Sequence, residues 1–227
     1  MNLGGTMTIP LNNRLRKRAQ RDVALFQDVL IRVIYEIDAA IEIHGGTVVW
    51  RCFGGRRFSK DIDVYLSPNQ KRDELKERIE SVASRYNAKV IKLKETGNRI
   101  FMELLLGDIY SEIDINYKKY YKSPVIRQYE NLDGTFYDVL TPPVEVLITE
   151  KIDAYIDRKS ITDLYDMRIL VDYADKNKIE LQMKKFISAI DEPVELKKEE
   201  MRLADLIFEG PVPTFESLVR YIEDKIS

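Results

Sequence analysis

Three aspartates and one glycine pair carry most of the chemistry this chain could perform. Asp61 and Asp63 stand two apart in Asp61-Ile62-Asp63-Val64-Tyr65, an alternating stretch that reads as a β-strand. On a strand, residues two apart share a face, so both carboxylates project together while Ile62 and Val64 point into a core. Like charges so placed repel, and a divalent cation between them is a ready explanation. Two hard cations about 3.5–4 Å apart would activate an attacking hydroxyl and steady a leaving pyrophosphate. A third carboxylate would come from Glu112-Ile113-Asp114-Ile115-Asn116, a second alternating strand. Asp114 is the first choice and Glu112 the fallback, because both project to one face and periodicity does not separate them. A strand with a wet polar face gives the same pattern.

The glycine pair lies just upstream, in Ile43-His44-Gly45-Gly46-Thr47. Between a strand and a helix, missing side chains let backbone N–H groups approach an anion, and the positive helix end favours phosphate. Thr47 adds a hydroxyl, and Arg51, one helical turn later, could reach the same phosphates as a fork of donors. Gly4-Gly5-Thr6 repeats the tripeptide without a strand, helix or carboxylate pair beside it, so it reads as a decoy. Glycine turn, short helix and strand with two aspartates is the order that metal-assisted in-line attack on a nucleoside triphosphate needs. Asp114 would then assist deprotonation of the acceptor hydroxyl.

Downstream, Lys151 lies on the apolar helical stripe of Val144, Leu147, Ile148 and Tyr155. A charge there needs a partner, or its stem must snorkel to water. Asp163 fits a capping pattern in Ser160-Ile161-Thr162-Asp163 and reads as structural on spacing alone. His44, the single histidine, has no orienting partner visible in sequence and reads as structural, and Trp50 reads as core. Tyr117, Tyr120 and Tyr121 around Lys118 and Lys119 read as a solvated loop before a nucleic-acid patch.

The elements that must position these groups follow from periodicity. A long helix carries Val23, Phe26, Leu30, Ile34 and Ile37, strand 41–43 precedes the glycine turn, and helix 47–53 follows it. Strand 61–66 leads to a helix over 69–86 opened by Ser67-Pro68, then strands 89–94, 100–106, 109–117 and 135–140. Thr141-Pro142-Pro143 opens helices at 143–158, 161–176, 178–190, 195–208 and 214–226. The expected fold is α+β: a core with a mixed or antiparallel sheet flanked by helices over 1–140, and a helical domain over 141–227.

Composition narrows the class. Of 227 residues 44% are hydrophobic and 33% charged, which excludes a disordered chain. One cysteine, Cys52, and one histidine argue against an internal disulfide and a zinc site, so a metal should be held by oxygen. No apolar run is long enough to span a bilayer and residues 1–10 show no signal-peptide pattern, so the expected compartment is the cytoplasm. Residues 1–60 hold ten Lys/Arg against five Asp/Glu, clustered at Arg14, Arg16, Lys17, Arg18 and Arg21. That cluster reads either as a solvated helix face or as a contact for nucleic-acid phosphates.

Gly45-Gly46-Thr47, Arg51, Arg57-Phe58-Ser59-x-Asp61-x-Asp63, Ile113-Asp114-Ile115-Asn116, Glu150-Lys151 and Thr162-Asp163-Leu164-Tyr165-Asp166 together resemble the AbiEii/AbiGii toxin family of nucleotidyltransferases. The resemblance spans roughly residues 20–175. It implies a polymerase-β-like nucleotidyltransferase fold, magnesium with a two-metal site, a nucleoside triphosphate as co-substrate, and the toxin role of a type IV toxin–antitoxin system with a cognate antitoxin. Lys151 and Asp163 then look like nucleotide and catalytic contacts, and Gly45, Gly46, Thr47, Arg51 and Ser59 like nucleotide-binding positions. Some relatives add nucleotides to the 3′ end of tRNA, so an RNA acceptor is expected. Nucleotidylation of a protein hydroxyl or a small molecule is the alternative, with a non-catalytic binding module of the same fold beyond it. The chain departs from the family pattern at Val48-Val49-Trp50 and at Arg51, where many relatives have lysine, which bears on nucleotide choice.

Overall fold

A computed structural model describes residues 9–66, 72–117, 123–191 and 195–226. The Gly4-Gly5-Thr6 tripeptide, Ser67-Pro68 and the Lys118–Tyr121 patch lie outside the described residues. Among the described residues seven strands form one mixed sheet in the order β3-β4-β5-β2-β1-β7-β6. These are β1 (Glu42–His44), β2 (Asp61–Tyr65), β3 (Ala88–Thr96), β4 (Arg99–Leu106), β5 (Ile109–Asn116), β6 (Val125–Glu130) and β7 (Phe136–Thr141). β2 runs parallel to β5 and antiparallel to β1, and β1 is parallel to β7.

Helix α1 (Leu11–Arg14) and the twenty-residue α2 (Arg18–Ile37) precede the sheet, α3 (Gly45–Cys52) joins β1 to β2, and α4 (Arg72–Arg85) joins β2 to β3. After β7 come α5 (Val144–Arg158), α6 (Ile161–Leu170), α7 (Lys176–Ala189), α8 (Leu196–Leu206) and α9 (Phe215–Ile226). The architecture is the α+β one expected, a mixed sheet flanked by helices.

Alternation assigns the faces. Ile62, Val64, Ile113, Ile115, Ile100, Met102 and Leu104 are buried and join Phe26, Leu30 and Ile34 of α2 and Leu75 and Ile79 of α4 in one core. Each such side chain contributes about 1.5–3 kcal/mol through removal from water. The apolar residues between the carboxylates thus anchor the strands, leaving Asp61, Asp63, Glu112 and Asp114 on the opposite face.

Besides the short α1, which was not anticipated, three elements differ from the expectation. Strand β6 was not anticipated; it is one of the sheet's two outer strands, where polar residues such as Arg127 and Gln128 blunt the edge and mask the alternation. The helix expected over 161–176 ends at Leu170, passes through a 3-10 turn at Val171–Tyr173, and restarts as α7 where the Asp175 side chain accepts from the Asn177 N–H. Helix α3 begins at Gly45, two residues earlier than expected, so both glycines form its first turn.

Candidate active site

The parallel pairing of β2 with β5 puts Asp63 opposite Asp114 and Asp61 opposite Glu112. The antiparallel pairing of β1 with β2 puts His44 opposite Asp63, so the chain enters α3 directly over the carboxylates. Gly45 has φ +73°, and a Cβ there would stand 2.0 Å from Asp63 Oδ2. A Cβ at Gly46 would stand 2.7 Å from both Arg57 Nη2 and Ser59 Oγ. Only backbone can approach this closely, which is the physical reason for the glycine pair.

The carboxylates are partly covered. Lys60 Nζ lies 3.6 Å from Asp61 Oδ1 and 3.2 Å from Glu112 Oε1, and the Tyr110 hydroxyl donates to Glu112 at 2.8 Å. Burial pushes the Asp61 carboxyl up to about 6; Glu112 and Asp63 add to the rise and Lys60 opposes it. Burial likewise raises Asp114, with Asp63 adding and Arg99, 3.5 Å away, opposing. Among the described residues, no three His, Cys, Asp or Glu side chains form a ready cage for an ion. Nonetheless Asp114 Oδ1 is buried without a hydrogen-bond partner, and Asp61 Oδ1, also buried, is faced by the Lys60 ammonium at 3.6 Å. Such oxygens are costly to leave unmatched, and their chemistry fits a hard divalent cation.

A second group of charges flanks this face. Arg57 donates from Nε and Nη2 to the two carboxylate oxygens of Asp166, at 2.9 and 2.6 Å. Lys151 Nζ lies 2.6 Å from Asp166 Oδ2 and 3.5 Å from Asp163 Oδ1, while Arg158 donates twice to Asp163, each at 2.7 Å. Burial would raise Asp166, but Arg57 and Lys151 outweigh it and hold its carboxyl below the usual range. Two buried aspartates therefore fix three cations, and the Arg57 end of the group touches the Gly46 turn. Arg57 is held in place by main-chain bonds to α8: the Phe58 N–H donates to the Leu206 carbonyl, and Arg57 bridges to Ile207.

Not every expected residue reaches the turn. Arg51 lies in the core, 2% exposed, donating to the Glu130 and Ala24 carbonyls and to Gln27 Oε1, against the rings of Trp50 and Tyr129. Its position on α3 points it away from solvent, so it braces the helix. The Thr47 hydroxyl is also spent internally, donating to the Asp61 carbonyl at 2.5 Å, which ties the glycine turn to β2. Asp163 holds Lys151 and Arg158 in place and is itself buried. Trp50 packs with Phe58 and Phe208, as its core reading expected.

Sequence reasoning passed over Arg57, Asp166 and Arg158 as site residues, and gave His44 no partner. Arg57 and Asp166 are 109 residues apart, so no local pattern pairs them. His44 stacks on Tyr65 at 3.8 Å between ring centres, and its Nδ1 lies 3.3 Å from Glu150 Oε2; the Tyr65 hydroxyl donates to Glu150 Oε1 at 2.6 Å. Glu150 stood out in the sequence only as part of the Glu150-Lys151 pair of the family resemblance. Part of the amino-terminal basic cluster is engaged within the protein: Arg14 pairs with Glu130, Lys17 donates to the Asp205 carbonyl, Arg18 pairs with Asp22 while staying exposed, and Arg21 donates to the Leu15 carbonyl.

The family model for the nucleotidyl transferase AbiEii toxin of type IV toxin–antitoxin systems matches residues 35–215, from the end of α2 to the start of α9. The chain belongs to the AbiEii toxin family. It is accordingly a nucleotidyltransferase toxin, and the family implies an antitoxin partner and a nucleotide substrate. No curated protein matches the sequence. Among solved structures, MenT4, a nucleotidyltransferase toxin from Mycobacterium tuberculosis H37Rv, superimposes with a TM-score of 0.61 at 15% identity, covering 93% of this chain and 85% of that one. JHP933 from Helicobacter pylori does so with a TM-score of 0.54 at 18% identity, covering 89% and 88%. These likenesses establish a shared fold for this AbiEii member. Among its described residues no helix is long and apolar enough to cross a membrane.

Proposed function

We propose that this AbiEii-family enzyme transfers a nucleoside monophosphate from a nucleoside triphosphate to an RNA, at a tRNA 3′ end, with magnesium held by Asp61, Asp63 and Asp114. The observation that carries this reading is the placement of Asp63 and Asp114 as register partners beneath the Gly45 backbone, with the buried Oδ1 of Asp114 left unmatched. Magnesium, when bound, supplies Lewis-acid stabilisation of the charge that develops on the phosphates. The chain's own residues do the rest. The Gly45-Gly46 backbone and Ser59 seat the triphosphate, and Lys151 adds positive charge from α5, oriented by Asp166 and Asp163. Asp114 takes the proton of the acceptor hydroxyl as its oxygen bonds to the α-phosphorus and the bond to pyrophosphate breaks.

The division of labour suggests a boundary at residues 140/141. Residues 1–140 would form the nucleotidyltransferase core carrying the carboxylates and glycine turn, and 141–227 a helical domain supplying Lys151 and its supports. The toxin would act in the cytoplasm, restrained by its antitoxin. The test is four parallel reactions, each with magnesium, total cellular RNA and one labelled nucleoside triphosphate. Label in RNA supports the reading. Label on protein alone selects the protein-hydroxyl alternative, and no label with any triphosphate overturns transfer to either.

A further inference from the structure

The sheet does not end at the carboxylates. Asp63 faces Asp114, Asp114 faces Phe101, and Phe101 faces Lys94 in successive registers, so one row runs from β2 across β5 and β4 to β3. At about 4.8 Å per strand, Phe101 stands roughly 10 Å from Asp63 on the same face. The reverse face of these strands is buried through Ile100, Met102 and Ile113 against α2 and α4. The carboxylate-bearing face instead holds a cavity of about 330 Å³ lined by Lys92, Lys94, Thr96, Arg99, Phe101 and Asp114.

We infer that this face is the platform for the single-stranded 3′ end of the RNA acceptor, with Phe101 stacking on a base and Lys94 and Arg99 meeting phosphates. The inference rests on the transferase reading, in which Asp114 marks the acceptor side. Phe101 is half-buried, with Lys92 Nζ 5.5 Å from its ring centre and tied to Glu103 at 2.6 Å. Arg99 is 62% exposed and held towards the site by Asp114, and among the described residues no ion pair involves Lys94. An aromatic ring among cations on an open sheet suits single-stranded nucleic acid, because every base offers a π-face and every linkage a charge. The amino-terminal basic cluster is a weaker competitor, since Arg14, Lys17 and Arg18 each pair with a carboxylate of the protein.

The experiment measures fluorescence anisotropy of a short fluorescein-labelled single-stranded RNA ending in CCA, bound by the full chain and by Phe101→Leu and Lys94→Gln. Phe101→Leu should weaken binding about ten-fold with an unchanged salt slope, because stacking and not charge is lost. Lys94→Gln should lower the slope of log affinity against log salt by about 0.7. Lys94 is exposed, so this variant reports even where Phe101→Leu folds poorly. Equal binding and equal slopes for all three proteins overturn the platform and leave the RNA reading standing. Failure of the unsubstituted chain to bind this RNA overturns both and directs attention to a protein acceptor.

Discussion

Replacing Gly45 by alanine separates the chemistry of the turn from its stability. The new methyl carbon would stand 2.0 Å from Asp63 Oδ2, whereas ordinary van der Waals contact begins at 3.4 Å. The Asp63 carboxylate or the turn must therefore shift by about 1.4 Å, and a misplacement of about 1 Å at reacting groups costs on the order of a hundredfold in rate. The backbone cost is smaller: alanine at φ +73° loses about 1–2 kcal/mol, which in a chain of this size lowers Tm by about 2–8 °C. Gly45→Ala should thus remain folded at 25 °C and melt a few degrees early. Its incorporation of labelled nucleotide into RNA should fall at least about a hundredfold at saturating triphosphate. Circular dichroism melting and the incorporation rate are read on one preparation. A variant that shows the Tm drop but keeps a tenth or more of the rate would refute the claim that Asp63 works beneath this glycine.

Arg51→Met should lower stability in urea by about 3–5 kcal/mol, because Asp28, 3.3 Å away, and several buried acceptors lose their donor; unchanged stability with impaired triphosphate binding would restore Arg51 to the phosphates. Asp166→Asn removes a carboxylate held below the usual range, whose stabilisation is present above the unfolded value near 3.9 and is lost as pH falls through the lower folded one. The variant should be less stable at pH 7, with the gap to the unsubstituted chain narrowing only in strong acid, as urea midpoints across pH would show. Asp61 has the opposite sign: its carboxyl, raised to about 6, binds a proton more readily folded than unfolded, so the chain gains stability as pH drops from about 7 towards 4. In EDTA, Asp61→Asn should therefore melt above the unsubstituted chain at pH 7.5 and level with it near pH 4; a gap independent of pH would remove Asp61 burial from the explanation.

What could be read from the sequence was whatever is local. Period-two alternation around Asp61, Asp63 and Asp114 assigned their faces correctly, since the intervening Ile62, Val64, Ile113 and Ile115 are all buried. The glycine turn could be located because a strand and a helix flank it, and only the residue spacing was needed. Arg51 shows the limit: helical spacing put it near Thr47, but the direction of α3 relative to β6 decides that its guanidinium meets Glu130 and not a phosphate. The Arg57–Asp166–Lys151 group was illegible from spacing for the same reason, as Arg57 comes from a loop far in sequence from the two consecutive helices that carry Lys151 and Asp166. Strand β6 escaped because an outer strand needs no alternation, and His44 acquired its Glu150 partner only through the approach of α5 to the interior strands β1 and β2.

The most direct test compares the unsubstituted chain with Asp63→Ala and Asp114→Ala for magnesium-dependent incorporation of α-labelled nucleotide into RNA, each variant first checked by circular dichroism. Incorporation by the unsubstituted chain, abolished in both folded variants and by EDTA, is the predicted result. Incorporation that survives in either folded variant would contradict the assignment of catalysis to this carboxylate face.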